Sequence, residues 1–479
     1  EARKAIRHGL HVMLWSDNVS LDDEIALKRL ALARGRFVLG PDCGTAYLGG
    51  VPLGFANAVP RGRVGLVSAS GTGLQHVAAL LAARGEGIAQ GIGVGGRDMT
   101  DAVGGIMTLA ALDALDADPA TELIVVIGKP PAPRVRDEVE GRLRRLGRPC
   151  VVALLGAEVE AARDGDVVIV ATLEDAATAA VALLHGRSWA PQAFSAPADE
   201  VGYRLEAERR GLSRGRAVRG LYAGGTLAHE AALILARVLG PIGGNLPAAA
   251  LHTAGAAHQV LDLGADELTI GRAHPMLDPT VRIREIERAG KDPEIGVLLL
   301  DIVLGHGAAP DPAGDLLSAI EIARAAARAR GSALSVVATV VGTARDPQGL
   351  GGQIAKLEAA GAWVLPSNAQ AARAAACVAG GDAVRRALLE ARADVRAVTA
   401  RVPPGADRRG GAGRGAGEAR PAVSDLLSRP PHVVNVGLAC FADDLRELGA
   451  AVVPVRWAPP AGGDERMAAL LARLEDDDV

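Results

Sequence analysis

Residues 64–75 read VGLVSASGTGLQ, and HVAALLAARGEG (76–87) follows directly. A short apolar run stops at Ser68-Ala69-Ser70-Gly71-Thr72-Gly73, and a helical pattern begins at once and ends at Gly85. The start of a helix leaves unpaired N–H groups and a partial positive charge. Glycine lets the backbone come close to a ligand, and Ser70 and Thr72 add hydroxyls. At the carboxyl end of a parallel strand, such a turn suits an anion. The same residues also serve as a plain helix cap with packing glycines, so one copy of the turn leaves both readings open.

The turn has a second copy. AVRGLYAGGTLAHEAALILARVLG (217–240) repeats strand, turn and helix, with Gly224, Gly225 and Thr226 at the junction. Each copy is followed by an Asp-Pro and a buried-type strand, DPATELIVVIG (118–128) and DPEIGVLLLDIVLG (292–305). Each then has a further strand, PCVVALLG (149–156) and SALSVVATVVG (332–342), and an Ala-rich helix near 173–184 and 368–380. The period is far longer than that of a solenoid, and the pattern predicts two similar open α/β domains in tandem. If they pack about a pseudo-twofold axis, both helix starts converge on one phosphate or carboxylate.

Upstream, GLHVMLW (9–15), SLDDEIALKRLALARG (20–35) and RFVLG (36–40) read as strand, helix, strand, with Ser20 as cap and Gly35 as stop. The sequence opens within a helical pattern, as though an earlier part of this domain were missing. The expected organisation is 1–60 as the end of a Rossmann-type domain, 61–186 and 216–401 as the two α/β domains, and 431–479 as a last βαβ piece. Residues 187–215 and 402–430 are expected to be linkers, the second Gly/Arg/Pro-rich over 402–421.

Among 479 residues, apolar types make up 49% and aromatics 2%, so Leu, Val, Ile and Ala must fill the cores. A net charge of -4 gives no reason to expect nucleic acid or an anionic membrane as partner. No apolar run is long enough for a membrane span, and no signal peptide is seen. Cys43, Cys150, Cys377 and Cys440 are scattered, with no metal-site spacing, which fits a reduced, cytoplasmic protein without a metal.

Other candidates follow the strands. GVGGRD (93–98) offers Gly95 and Gly96 as a backbone cradle and Arg97 as an anion clamp, or a tight turn with a solvated arginine. DLGADELTIGRAHPMLDPTVR (262–282) concentrates Arg272, His274, Asp278 and Arg282. The arginines suit a carboxylate or phosphate, His274 suits proton transfer, and Asp278 could orient it. The bland alternatives are a His-Pro turn and an Asp-Pro helix start. His306 is a weaker candidate, and Cys43 reads as a small buried residue.

VGLVSASGTG, GIGVGGRD and ELIVVIG, in this order, resemble the second domain of the succinyl-CoA synthetase alpha subunit, and residues 1–60 resemble the end of its CoA-binding Rossmann domain. GLYAGGTLAHEA through GAWVLPSNAQAA resembles the carboxy-terminal domain of the beta subunit. The fused order, with IGRAHPMLDP, LLDIVLGHGA, TARDPQ and WAPPAGG, closely resembles the FdrA family across nearly the whole chain.

The resemblance implies flavodoxin-like domains and a phosphoryl or acyl-phosphate site at the two turns. Two departures matter. Where the synthetases carry a glutamate, this chain has Lys129. Where their active histidine sits, this chain has AEVEAARDGD (157–166). HTAG (252–255) looks similar but lies in the other domain. The family has been linked to carbamoyl transfer to oxamate in allantoin breakdown, with separate partner subunits. The resemblance therefore implies an enzyme subunit handling an acyl or carbamoyl phosphate and a small carboxylate. Lys129 would favour the phosphate that a glutamate would repel. A CoA-binding synthetase subunit is the second expectation, its CoA site lying largely before residue 1, and a non-catalytic scaffold is the third.

Overall fold

A computed structural model describes the chain except residues 157–160, 213–214, 247–254, 394–425, 459, 465, 468–469 and 471–479. Most of the expected second linker, the start of AEVEAARDGD and nearly all of HTAG lie outside the described residues.

The N-terminal unit holds α1 (Ala2–Arg7), β1 (Val12–Met13), α2 (Leu21–Ala33) and β2 (Val38–Leu39), with β1 and β2 parallel. Ser20 caps α2 by accepting from the Asp23 amide. A hairpin of β3 (Thr45–Leu48) and β4 (Val51–Gly54) turns at Gly49-Gly50, where both φ angles are positive. It joins the next sheet, which therefore begins before residue 61.

The first α/β unit runs β5 (Arg61–Ser68), α3 (Gly71–Ala83), β6 (Ile88–Gly93), α4 (Ile106–Ala117), β7 (Leu123–Gly128), α5 (Pro133–Leu143), β8 (Cys150–Leu154), β9 (Ala161–Asp164), β10 (Val167–Val170) and α6 (Leu173–Leu184). Its sheet order is β4-β3-β6-β5-β7-β8-β10-β9. The five strands β6-β5-β7-β8-β10 are parallel, and β3, β4 and β9 add antiparallel edges.

Residues 187–215, expected to be irregular, contain α7 (Ala198–Arg209). Its first turn is acidic, which suits a helix start, and Val201, Gly202 and Leu205 are buried. The second unit then runs β11 (Ala217–Tyr222), α8 (Gly225–Leu239), β12 (Ile242–Gly244), β13 (His258–Asp262), α9 (Asp266–Thr269), α10 (Thr280–Lys291), β14 (Ile295–Val303), α11 (Gly314–Ala329), β15 (Ser335–Val341), α12 (Leu350–Ala359), β16 (Trp363–Leu365) and α13 (Asn368–Ala393). Its sheet is all parallel, in the order β12-β13-β11-β14-β15-β16. Leaving out the edge strands, both sheets follow the flavodoxin order 2-1-3-4-5. A short parallel pair, β17 (Val433–Val436) and β18 (Val452–Val455), flanks α14 (Ala439–Glu447).

Strands β7 and β14 are buried along their whole length, as parallel strands covered on both faces must be. Their side chains alternate between two cores. Leu123, Val125 and Ile127 of β7, with Val297, Leu299 and Val303 of β14, share one core with α3, α6, α8 and α13. The outer faces of the two sheets build separate cores. Four helices thus form a common layer between the two sheets.

Polar bonds in this layer are reciprocal. Glu230 of α8 accepts from the Leu173 amide at the start of α6 (2.7 Å). His76 of α3 accepts at Nε2 from the Asn368 amide at the start of α13 (3.2 Å). His76 and Glu230 hold equivalent positions in the repeat, five residues after Gly71 and Gly225 respectively. Asn368 completes the set, donating to Glu230 (2.8 Å) and accepting from the Tyr222 hydroxyl (3.0 Å). Farther along, Asp346 of the TARDPQ motif accepts from the amides of Ala58 and Thr343 and from the Asn57 side chain, tying the strand-entry segment of the first unit to the second.

Candidate functional site

The two glycine-rich turns meet. Ser70 Oγ donates to Thr226 Oγ1 at 2.6 Å, across the boundary between the units. Ser70 also caps α3, its Oγ accepting from the Gly73 amide at 2.9 Å. A Cβ on Gly73 would stand 2.7 Å from that Oγ, and a Cβ on Gly224 would stand 3.0 Å from Thr72 atoms. Glycine at 224 therefore lets the two turns touch, and glycine at 73 leaves room for the Ser70 cap. The first N–H groups of a helix have no intrahelical partner. In α3 this leaves the amides of Gly71 and Thr72, and in α8 those of Gly225, Thr226 and Leu227.

The second turn carries an internal anion. The amides of Ala223 and Gly224 donate to the two oxygens of Asp301, each at 2.8 Å. Asp301 stands inside β14 and is fully buried. Arg282 backs it, Nη2 donating to Asp301 Oδ1 (3.1 Å), the Asp301 carbonyl (2.5 Å) and the Leu221 carbonyl (3.1 Å). Burial pushes the Asp301 carboxyl up and the Arg282 guanidinium down, and their contact opposes both shifts. Beside Arg282 is a void of about 10 Å³, room for at most one water. Arg282, expected to hold a carboxylate substrate, instead holds a carboxylate of its own chain. The sequence could not reveal this, because the partner lies 19 residues away on another element.

The other expected site residues divide into those at the turns and those spent elsewhere. Lys129 follows β7 and is exposed. Its charge pulls down the carboxyls of Asp42 and Asp262 and the imidazole of His229, so it looks onto both units. Asp262, at the end of β13, would lie 2.4 Å from a Cβ on Gly225. Burial, then repulsion from Asp301 and Glu267, outweighs the Gly264 amide and Lys129 and raises its carboxyl to about 7. The Asp42 carboxyl is also raised, by desolvation first and then by Asp266 and Asp17, although one side of the residue stays open to solvent.

Gly95 and Gly96 do not face an anion space. A Cβ on Gly95 would strike the Pro41 carbonyl at 2.3 Å, and one on Gly96 would lie 2.9 Å from Asp42 Oδ2. Arg97 binds Glu24 (2.9 Å) and the Val19 carbonyl (2.7 Å), which fastens the N-terminal unit. Lys28, itself buried, joins Glu24 and Asp98 at 2.7 Å each, and Asp98 caps the start of α4 through the Met107 and Thr108 amides.

His274 lies beside the turn-bearing wall. Its Nε2 would be 2.6 Å from a Cβ on Gly264, its Nδ1 accepts from the Met276 amide (3.2 Å), and its ring meets Phe55 at 5.7 Å. Burial lowers its pKa to about 4, so it is neutral at pH 7. Asp278 does not orient it. The Asp278 carboxylate accepts from the Thr280 amide and hydroxyl at the start of α10. Arg272 is exposed and takes no part in the turns. Cys43 is buried, its thiol directed at the Thr45 and Gly93 carbonyls and pushed up to about 12 by burial.

Sequence reasoning missed Asp42, Asp262, Asp301 and His229. An aspartate within the apolar run VLLLDIVL was the available signal for Asp301. His229 lies one turn into α8, is 5% exposed, and is kept neutral by burial, with its pKa near 4. It bonds at Leu155, just after β8. Among the described residues no cluster of His, Cys, Asp or Glu could hold a metal ion, and no helix is long and apolar enough to cross a membrane.

Residues 221–378 match the CoA-ligase family. The uncharacterized protein YahF of Escherichia coli (strain K12) is 38% identical over 376 residues, 77% of this chain and 72% of its own length. The ADP-forming sulfoacetate-CoA ligase subunit SauD of Bilophila wadsworthia is 32% identical over 120 residues, 24% of this chain and 40% of SauD. The succinate–CoA ligase [ADP-forming] subunit alpha of Methanothermobacter thermautotrophicus is 29% identical over 134 residues, 27% of this chain and 43% of that subunit. With two flavodoxin-ordered units, their paired turns and a relative matched over most of both lengths, the chain belongs to the FdrA family of succinyl-CoA synthetase-like proteins.

Proposed function

We propose that this chain is the subunit of an acyl-transfer enzyme that holds an acyl phosphate at the paired turns, with carbamoyl phosphate as the acyl phosphate and oxamate as the acceptor. The observation that carries this reading is the Ser70–Thr226 contact, which joins two helix starts in one place. Their free amides suit a phosphate, and Lys129 adds the positive charge that stabilises phosphate as it leaves.

In the proposed step the oxamate amide nitrogen attacks the carbamoyl carbon. The bond from that carbon to the phosphate oxygen breaks, and phosphate departs with the electron pair. The proton lost by nitrogen passes to Asp262, whose raised carboxyl is matched to accept near neutral pH once ionised. His274 and His229, both neutral, line the same region without a charge to offer.

A CoA-dependent reading follows from the relatives named as CoA ligase subunits. The turns after β1 and β2 bear Asp17 and Asp42, carboxylates that suit the phosphates of CoA poorly. We therefore place no step through CoA. The deciding assay uses the full-length protein with its partner subunits and follows phosphate release from carbamoyl phosphate. Release that requires oxamate and ignores CoA supports the proposal. Release or thioester formation that requires CoA overturns it in favour of a ligase, and loss of neither activity on replacing Gly71 and Gly225 by valine would move the site elsewhere.

A further inference from the structure

A second, arginine-lined cavity lies away from the turns. Arg209, Arg210 and Arg216, with Glu206, Leu212 and Val378, surround about 270 Å³. These residues come from the end of α7, the approach to β11 and the middle of α13. The cavity therefore sits at the N-terminal edge of the second sheet, whereas the glycine-rich turn follows the C-terminal end of β11.

Its lining sets three guanidinium groups against one carboxylate, Glu206, so positive charge is in excess. Arg385 of α13 lies outside this lining but acts with Arg209 on the neighbouring Cys377, and its Nε is buried without a hydrogen-bond partner. The partner of Arg209 is Asp382, at 3.4 Å and 71% exposed. Arg210 and Arg216 form no ion pair among the described residues. Guanidinium groups gathered in a concavity repel one another, and their planar forks match the oxygens of phosphate. The walls are Leu212 and Val378, which exclude water from one side.

We propose that this cavity binds a compact phosphorylated small molecule, independently of the site at the turns. Its volume lies just below the range for small-molecule pockets, about 300–1,000 Å³, which suits a pyrophosphate-sized group rather than an extended coenzyme. A ligand there bridges α7 and α13. The first residue of α13, Asn368, bonds His76 and Glu230 between the two units, so occupancy bears on the helix that joins the cavity to the domain interface.

The test is calorimetric titration of the full-length protein with pyrophosphate, in a phosphate-free buffer at physiological salt. The expected result is saturable binding that weakens by about tenfold or more in Arg210→Ala/Arg216→Ala, since each lost charge-assisted bond is worth at least about that factor. Both side chains are exposed, so this variant should unfold at the wild-type temperature in the absence of ligand. Gly225→Val, which fills the turn, should keep the binding. Absence of saturable binding, or binding untouched by the arginine substitutions and lost in Gly225→Val, overturns the proposal. Equal binding of citrate would overturn the assignment to phosphoryl groups.

Discussion

Asp301 illustrates how one residue can do what a ligand elsewhere does. It places a carboxylate on the amides that open α8, and Arg282 neutralises it from behind. Asp301→Ala should leave the guanidinium buried without its ion-pair partner, at a cost of about 3–5 kcal/mol. Arg282→Met should cost less, because Asp301 keeps its two amide donors and its raised carboxyl can take up a proton. Urea denaturation of both variants checks this, and an Asp301→Ala loss below about 1 kcal/mol would refute the pairing. Ser70, Thr72, Gly224 and Thr226 were legible because their turns interrupt apolar runs twice, at equivalent positions. Arg282 and Asp278 were misread for the opposite reason. Arginine and aspartate serve internal pairing and capping as readily as ligands, and only the fold says which partner stands opposite.

At the scale of elements, His76 and Glu230 are each other's counterparts, and each caps a helix of the other unit. Their titrations oppose one another. Burial raises the Glu230 carboxyl from 4.5 to about 7, so its stabilising share is complete below 4.5 and is lost as pH rises through 7. Burial lowers the His76 imidazole from 6.5 to about 3, so its share is complete above 6.5 and is lost as pH falls toward 3. Between about pH 4.5 and 6.5 the two slopes nearly cancel. Relative to wild type, Glu230→Gln should therefore make stability climb with pH across that window, by about 1.4 kcal/mol per unit. His76→Gln should make it fall by a similar amount. Chemical denaturation at several pH values reads both, and slopes of the same sign would contradict the scheme. The alternating strands and helices were plain from the sequence, since β7 is an unbroken apolar run and β14 an apolar run whose one charged residue is Asp301, each between turn signals. The α7 helix was hidden because its buried residues are few and its flanks are polar. The β3–β4 hairpin was hidden because nothing local says which sheet it joins.

At the scale of the molecule, the duplication was legible and its geometry was not. The order of strands repeats in the sequence, but the common helical layer depends on which faces of α3, α6, α8 and α13 meet. Nor does the sequence show that TARDPQ fastens residues 57–58, because the contact spans 288 positions. The reciprocal caps have a consequence for autonomy. Each unit caps its own helix in part, through Thr172 or Ser367, but lacks within itself the side chain that accepts from that helix's first amide. Residues 1–196 and 197–479, expressed apart, should each remain poorly ordered, whereas mixing them should restore a stoichiometric complex with the cooperative melting of the intact chain. Two chains produced separately would thus behave as an obligate heterodimer. A continuous polypeptide keeps the halves at one-to-one ratio, so fusion gives this architecture its stoichiometry at no further cost in specificity.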